Sequence, residues 1–508
     1  MNLLSSTYVF SFFTLISRVL GYVRDILIAI FLGASIFADA FFVAFRLPNT
    51  FRRLFAEGTF NAAFIPSYTS ARFNNKKNGK KFADEVLSLL ILILFLIILL
   101  VEIFTPYVVY LIAPGFLENS EKFNLAVELT RITFPFLLLV SISSFFSGIL
   151  NSNNKFAAAA AAPIILNIIL ILSLLISYYL KLNFAKQLSY AVTLSGVIQL
   201  LFLIYFTKKY YKPNLQFKFK LNNKIKLFFK KLLPSILSSG VTQINILVGT
   251  IIASFESSAV SYLYYADRIY QINLALAGIA VGTVSLPMLS KAFKQKNNLK
   301  ISNIQNKSIE LSLLLSIPAS LGIIIASEEI VSALFGYGSF TKENVKLTAS
   351  ALKFFGFGVP AFALIKILSN FLFARGNTKT PFYISSFVVI LNIILSISLF
   401  DKFGFIIIPI ATSISTWIGV LIYIYFLNDR NFLLLKNYLP KNIVKITLSS
   451  ILMTFFLIYA LNHYADCLDY SFKFKSVYLM LIVSFVAGFY LISCYLAGVL
   501  KVKNFKIN

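Results

Sequence analysis

Apolar residues run along this chain in long blocks, each closed by a short polar or charged stretch. Blocks of roughly 20 residues recur from one end to the other, the length that carries a helix across a hydrocarbon core. Helices are required because a lipid-facing backbone must satisfy its own hydrogen bonds, and the period-2 alternation of a membrane barrel is absent. The pattern predicts an all-α polytopic membrane protein of about fourteen spans, over 5–31, 35–60, 84–112, 126–150, 157–180, 187–207, 232–255, 259–289, 306–327, 346–374, 380–400, 404–427, 441–463 and 476–500. The first run reads as a retained helix. Residues 1–10 lack a basic leader region, and Arg18 and Arg24 interrupt the apolar stretch.

The polar stretches alternate in sign. Residues 71–81 are basic, the next loop carries Glu118, Glu121 and Glu128 against Lys122, and the longest, 207–231, has nine lysines and no acid. Residues 291–307 are basic again, 328–343 hold three glutamates to one lysine, and the tail carries Lys501, Lys503 and Lys506. By the positive-inside rule the basic stretches are cytoplasmic, and fourteen spans place both termini there. Composition agrees: the chain is 58% hydrophobic, with a mean hydropathy of +0.83. A formal charge of +27 in such a chain reads as cytoplasmic lysine and arginine beside anionic headgroups, not as nucleic-acid binding. Cys467 and Cys494 form neither a disulfide framework nor a metal motif.

A weak internal repeat is visible. IPSYTSARF (65–73) and LPMLSKAF (286–293) keep a Pro, a Ser, a basic residue and a Phe in order, and Phe45-Arg46-Leu47 answers Asp267-Arg268-Ile269 at nearly the same offset. A repeat that skips six spans keeps its orientation, so its axis lies along the membrane normal. The expected organisation is a six-helix lobe over 1–207, a basic linker over 208–231, a second six-helix lobe over 232–430, and two further helices over 431–508.

Charges within the spans are the candidate chemistry. A charge at bilayer depth costs several kcal/mol, roughly, and survives facing protein or water. In the first span Arg18 lies ~20 Å from the cytoplasmic end at about 1.5 Å per residue, with Asp25 on the same face and Arg24 offset beside it. In the second span Asp39, Arg46 and Arg53 form a seven-residue stripe, Arg52 points beside it, and Pro48 predicts a kink. Glu57 stands four residues past Arg53 and reads as its partner. In the eighth span Asp267 and Arg268 lie ~14 Å from the outer end. Internal pairing accounts for part of this set. Arg18, Arg24, Arg46, Arg52 and Arg268 outnumber the deep acids, and the surplus calls for an anionic partner or a wet cavity. Arginine in place of lysine favours a planar oxyanion such as phosphate, gripped by two N–H groups. Of the other charges, Lys366 sits within the tenth span and is a candidate to face a cavity, while Arg131 and Arg375 read as interface anchors.

Motifs for enzyme chemistry are missing. The sequence has a single histidine, His463, and no phosphate-binding G-x-x-x-x-G-K-[ST] loop, H-E-x-x-H or G-x-S-x-G. No stretch between spans is long enough for a soluble catalytic domain, so the chain reads as a transporter.

SRVLGYVRD (17–25), ADAFFVAFRLPN (38–49), FRRLFAEGTF (51–60), APGF (113–116), YYADRIY (264–270) and VGTVSLPMLSKAF (281–293) resemble the MurJ/MviN family of lipid II flippases, within the multidrug/oligosaccharidyl-lipid/polysaccharide exporter superfamily. The resemblance implies two six-helix lobes around a cationic cavity, with the last two helices forming a groove for the lipid tail. It implies functional arginines at Arg18, Arg24, Arg52 and Arg268, acids at Asp25, Asp39, Glu57 and Asp267, and further cavity residues at Ser17, Arg46 and Asn49. The sequence departs from the family at Gln271-Ile272-Asn273, where many relatives carry Glu-Phe-Pro, which leaves no carboxylate there. Some relatives hold sodium with an Asn and an Asp four residues apart in the eleventh helix; here Asn392 and Ser396 stand without the acid.

The expected function is translocation of lipid II, the undecaprenyl-pyrophosphate-linked peptidoglycan precursor, from the inner to the outer leaflet of the bacterial inner membrane. The expected partners are lipid II and membrane lipids, with no nucleic acid, no cofactor, no metal and a monomeric chain. Two rivals stand beside it: a flippase for another lipid-linked oligosaccharide or a cationic-drug exporter of the same superfamily, and a pseudo-transporter serving as a membrane scaffold. The topology is tested by cysteine labelling in a cysteine-free background. Cysteines at positions 120 and 340 react with an impermeant thiol reagent from outside, and one at 222 does not; labelling of position 222 in intact cells overturns the count.

Overall fold

In a computed structural model that describes residues 3–56, 59–215 and 223–500, the expected runs are helical over most of their described residues, 84–112 and 126–150 each being shared by two helices, and the described residues contain no strand. The chain divides into two compact units, Met1–Ser261 and Tyr262–Asn508. The first holds α1 (Leu3–Leu32), α2 (Ile36–Ala56), α3 (Thr59–Asn74), α4 (Lys76–Ile103), α5 (Thr105–Ile112), α6 (Ser120–Thr133), α7 (Phe136–Ser152), α8 (Phe156–Leu180), α9 (Phe184–Thr207) and α10 (Asn223–Ala253). The boundary falls in the first turn of α11 (Ala259–Leu274). There follow α12 (Val281–Lys294), α13 (Asn298–Ile325), α14 (Ser327–Phe335), α15 (Lys342–Phe373), α16 (Lys379–Phe403), α17 (Ile407–Asp429), α18 (Tyr438–His463), α19 (Ala465–Leu468) and α20 (Lys475–Leu496).

Ten stretches among the described residues are long and apolar enough to cross a membrane; one of them, Lys379–Asp429, contains both α16 and α17. Several expected loops are tighter than the polar patterning implied. Residues 71–81 are helical apart from Asn75, and 291–307 are helical apart from 295–297. Lysine is a good helix former, and an asparagine supplies the break. The Asn75 side chain accepts from Lys77 N at 2.8 Å to start α4, and Asn297 accepts from Lys300 N at 2.9 Å to start α13. Such a cap contributes about 1 kcal/mol.

Those two caps are 222 residues apart, and so are the next pair: Asn119 caps α6 and Thr341 caps α15. The weak sequence repeat therefore marks a structural one. In the first unit α7 packs on α3, α4 and α9, and α8 pairs with α9; in the second, α15 packs on α12, α13 and α17, and α16 pairs with α17. Pro66 lies within α3 and Pro287 within α12, at the matched positions of the two motifs.

Phe64 centres the first unit's aromatic core, its ring 5.3 Å from Phe60, 5.6 Å from Tyr68 and 5.0 Å from Phe145. Phe228 of α10 enters the same cluster, so α10 packs on α3. The lysine-rich segment after α9 is anchored at its start. Tyr211 Oη donates to Asp84 Oδ1 at 2.6 Å, and Asn214 N donates to the same oxygen at 3.0 Å. Burial and the Asp84 carboxylate push the Tyr211 phenol well above its ordinary range.

In the second unit α18 and α20 pack on α13 and α14, where Tyr490 Oη donates to Leu314 O at 2.8 Å. The segment between α17 and α18 is clamped. Gln305 and Asn306 of α13 bond the backbone of Phe432, Leu434 and Lys436. Arg375 donates to Phe432 O at 2.8 Å and stacks on Phe293 and Phe432. Arg375 is thus a clasp within the protein, and burial lowers its pKa to about 10. Phe340 is also buried, against Tyr265 and Phe335, so the labelling of that loop is best read at the exposed Lys342.

Lys122, expected as a loop charge, is buried instead. Its Nζ donates to Asp39 Oδ2 at 2.6 Å and lies 4.0 Å from the centre of the Phe116 ring. Asp39 is fully buried and accepts from Ser261 N at 2.9 Å and Ser261 Oγ at 2.5 Å. The pair joins α2 to α6 and to the first turn of α11. Breaking one side leaves an uncompensated buried charge, so Lys122→Met is expected to cost about 3–5 kcal/mol. Thermal unfolding in detergent measures it. The double variant Asp39→Asn, Lys122→Met is expected to unfold at a higher temperature than Lys122→Met alone.

Candidate functional site

The expected site residues of the first unit fall into separate clusters. The tightest is built on α1 and α8. Arg24 and Asp25 are adjacent, so their side chains leave the helix roughly 100° apart, and the guanidinium bends back to reach the carboxylate. Arg24 Nε donates to Asp25 Oδ1 at 3.0 Å and Nη2 donates to the same oxygen at 2.7 Å. Nη1 donates to Asn167 Oδ1 of α8 at 2.9 Å. Asn167 in turn donates from Nδ2 to Ser17 O at 2.8 Å and to Ser17 Oγ at 3.4 Å. All three members at the centre are buried: Arg24 is 8% exposed, Asp25 2% and Asn167 6%. Gly21 lies at this crossing; a Cβ there would meet the Asn167 amide at 3.5 Å, an ordinary contact, so α8 approaches α1 closely opposite it. Arg18, six residues before Arg24, is exposed.

On α2, Arg52 Nε donates to Asn49 Oδ1 at 3.0 Å, one helical turn back, and both are half-buried. Arg46 is half-buried as well. Asp39, on the same helix, is committed to Lys122 and Ser261. Glu57 lies outside the described residues, and with it the expected Arg53–Glu57 pair.

In the second unit, Arg268 donates from Nη2 to Tyr264 Oη at 2.8 Å, and its guanidinium carbon lies 4.7 Å from the centre of the Tyr264 ring. Gln271 donates to Asp267. Gln271 thus serves a carboxylate from one turn further along the helix. With no proline at position 273, α11 stays regular to Leu274 and the helix then loosens into a π-helical stretch, Ala275–Ala280, before α12. Asn392 lies 3.4 Å from both Ser396 Oγ and Thr412 Oγ1.

Two residues of these clusters escaped the sequence reading. The acids around Lys122 give it the pattern of a loop charge. Asn167 carried a usable signal: it is a lone amide in the apolar run of α8, where a polar side chain needs a partner.

Similar proteins place these clusters in context. A family described as lipid II flippase MurJ matches residues 28–482. A protein of Rickettsia prowazekii (strain Madrid E), described as a probable lipid II flippase MurJ, is 37% identical over 99% of both chains. A Rhizobium tropici protein with the same description is 36% identical over 97% of this chain and 94% of its own. A solved structure described as lipid II flippase MurJ in an inward closed conformation superposes with a TM-score of 0.81 at 28% identity, covering 95% of this chain and 97% of that one. An inward-facing multidrug resistance MATE family transporter shares the fold, with a TM-score of 0.67 at 14% identity over 82% of this chain and 94% of its own. On this match across nearly its whole length, the chain belongs to the MurJ family of lipid II flippases.

Proposed function

We propose that this protein carries lipid II from the inner to the outer leaflet of the bacterial cytoplasmic membrane by alternating access, as a monomer that crosses the membrane fourteen times with both termini in the cytoplasm. The observation that carries the reading is a buried guanidinium, Arg24, braced by a carboxylate and an amide inside a long apolar helix of a MurJ-family chain. An ion inside such a helix faces the protein interior or water, and by default marks a functional site.

In this reading Arg18, Arg24, Arg52 and Arg268 hold the pyrophosphate. Ser17, Asp25, Asn49 and Asp267 orient those arginines, and Asp39, Arg46 and Glu57 complete the charge pattern. The lobes are built from the two repeats, and α18 and α20 flank the undecaprenyl tail, which stays in lipid. A wet, cationic site selects an anionic headgroup. A drug exporter for cations needs acids and aromatics in the same place.

Two measurements test this. Arg18→Ala, Arg24→Ala, Arg52→Ala and Arg268→Ala are each expected to abolish complementation of a flippase-depleted strain while the protein still inserts. Arg→Lys rescues in part, since a point charge lacks the two-pronged grip. Lipid II accumulation in the depleted strain identifies the cargo, and full activity of all four alanine variants defeats the proposal. The purified protein is expected to be stabilised against heat by undecaprenyl pyrophosphate, with a smaller effect in high salt. Neutral undecaprenol and lipophilic cations are expected to do far less. Equal stabilisation by a lipophilic cation puts the exporter reading in its place.

A further inference from the structure

Asn167 belongs to none of the motifs that carry the family resemblance, yet from α8 it accepts from Arg24 and returns a second hydrogen bond to α1. Arg24 and Asp25 alone fix the guanidinium poorly. Nε and Nη2 both converge on a single oxygen, Oδ1, so the group can swing about that point. A third contact from another helix removes that freedom. Asn167 Oδ1 receives Nη1, and Nδ2 is spent on the Ser17 carbonyl.

The amide can serve in one orientation only. Turned over, it would set Nδ2 against Nη1, donor against donor, and Oδ1 against the Ser17 carbonyl, acceptor against acceptor. Asparagine is therefore required for both bonds, and neither aspartate nor leucine reproduces them. Of the five N–H donors of a guanidinium, the three contacts to Asp25 and Asn167 engage one on each nitrogen. One donor remains on each terminal nitrogen, and a pair of that kind suits an oxyanion.

We propose that Asn167 is a positioning residue for substrate binding, holding the Arg24 guanidinium so that its two remaining donors meet an oxygen of the pyrophosphate. The inference rests on the reading of Arg24 as a pyrophosphate ligand. Asn167 itself touches no substrate.

The test is a double-mutant cycle read by the concentration of undecaprenyl pyrophosphate needed to stabilise the full-length protein in detergent, with undecaprenol as control. Asn167→Leu keeps apolar volume between α1 and α8 and is expected to raise that concentration about tenfold, the effect of losing one hydrogen bond to a charged group. In an Arg24→Ala background the same substitution is expected to add nothing, because its effect passes through Arg24. A helix-packing role alone would lower the unfolding temperature of the ligand-free protein and add its effect in both backgrounds. Should Asn167→Leu fail to fold, Asn167→Asp serves. It keeps the acceptor for Arg24 but adds a second carboxylate to the site, and is expected to weaken the response by more than tenfold, with part regained in high salt. A normal response in Asn167→Leu or Asn167→Asp, or an additive loss in the Arg24→Ala background, overturns the proposal. If Arg24→Ala itself responds as the parent does, the reading of Arg24 is what fails, and the role of Asn167 in binding falls with it.

Discussion

A charge inside a low-dielectric membrane protein must be matched or wetted, and the polar architecture of this chain follows from that constraint. Lys122 and Asp39 solve it as an ion pair closed by a serine backbone and hydroxyl. Lys475 solves it without an acid in contact. Its Nζ donates to Gly336 O at 2.7 Å and Tyr470 O at 2.5 Å and lies within 4.4 Å of the centres of two tyrosine rings. The Gly336 carbonyl follows the C-terminal end of α14, where the helix dipole is negative. Arg24 solves it with a carboxylate and an amide, and keeps two donors in hand. The first two arrangements use the charge to join helices; the third braces one guanidinium between two helices through three of its five donors.

Duplication supplies the frame for these charges. Matched helices begin 222 residues apart, and the capping side chain is kept at matched positions: Asn75 with Asn297, and Asn119 with Thr341. A cap depends on one side chain and one backbone N–H, so it outlasts divergence of the apolar residues around it, which are interchangeable as long as volume is conserved. That is why the helix packing repeats more clearly than the sequence. The candidate site residues follow the repeat only in part: Arg268 answers Arg46 at that offset, whereas Ile246 stands at the position matched to Arg24. Arg24 is braced by Asn167, whereas Arg268, on a helix of the second unit, lies against a tyrosine.

Helices were legible in this sequence because length and hydropathy are local properties, readable from one run at a time. The placement of Arg18, Arg24, Arg52 and Arg268 within long helical runs was legible for the same reason, and the motifs around them were enough to indicate the family. Local pattern also states that a buried polar group needs a partner. It does not say which one. Arg24 meets Asn167 across 143 residues, and Asp39 meets Lys122 across 83. Tertiary packing decided those pairings, together with the joining of α10 to the first unit and the clamping of the segment before α18, because each depends on which faces of distant helices are brought together. The sequence by itself determined where charge enters the long apolar helices; the fold determined which partners those charges meet, because partners come from distant stretches of chain.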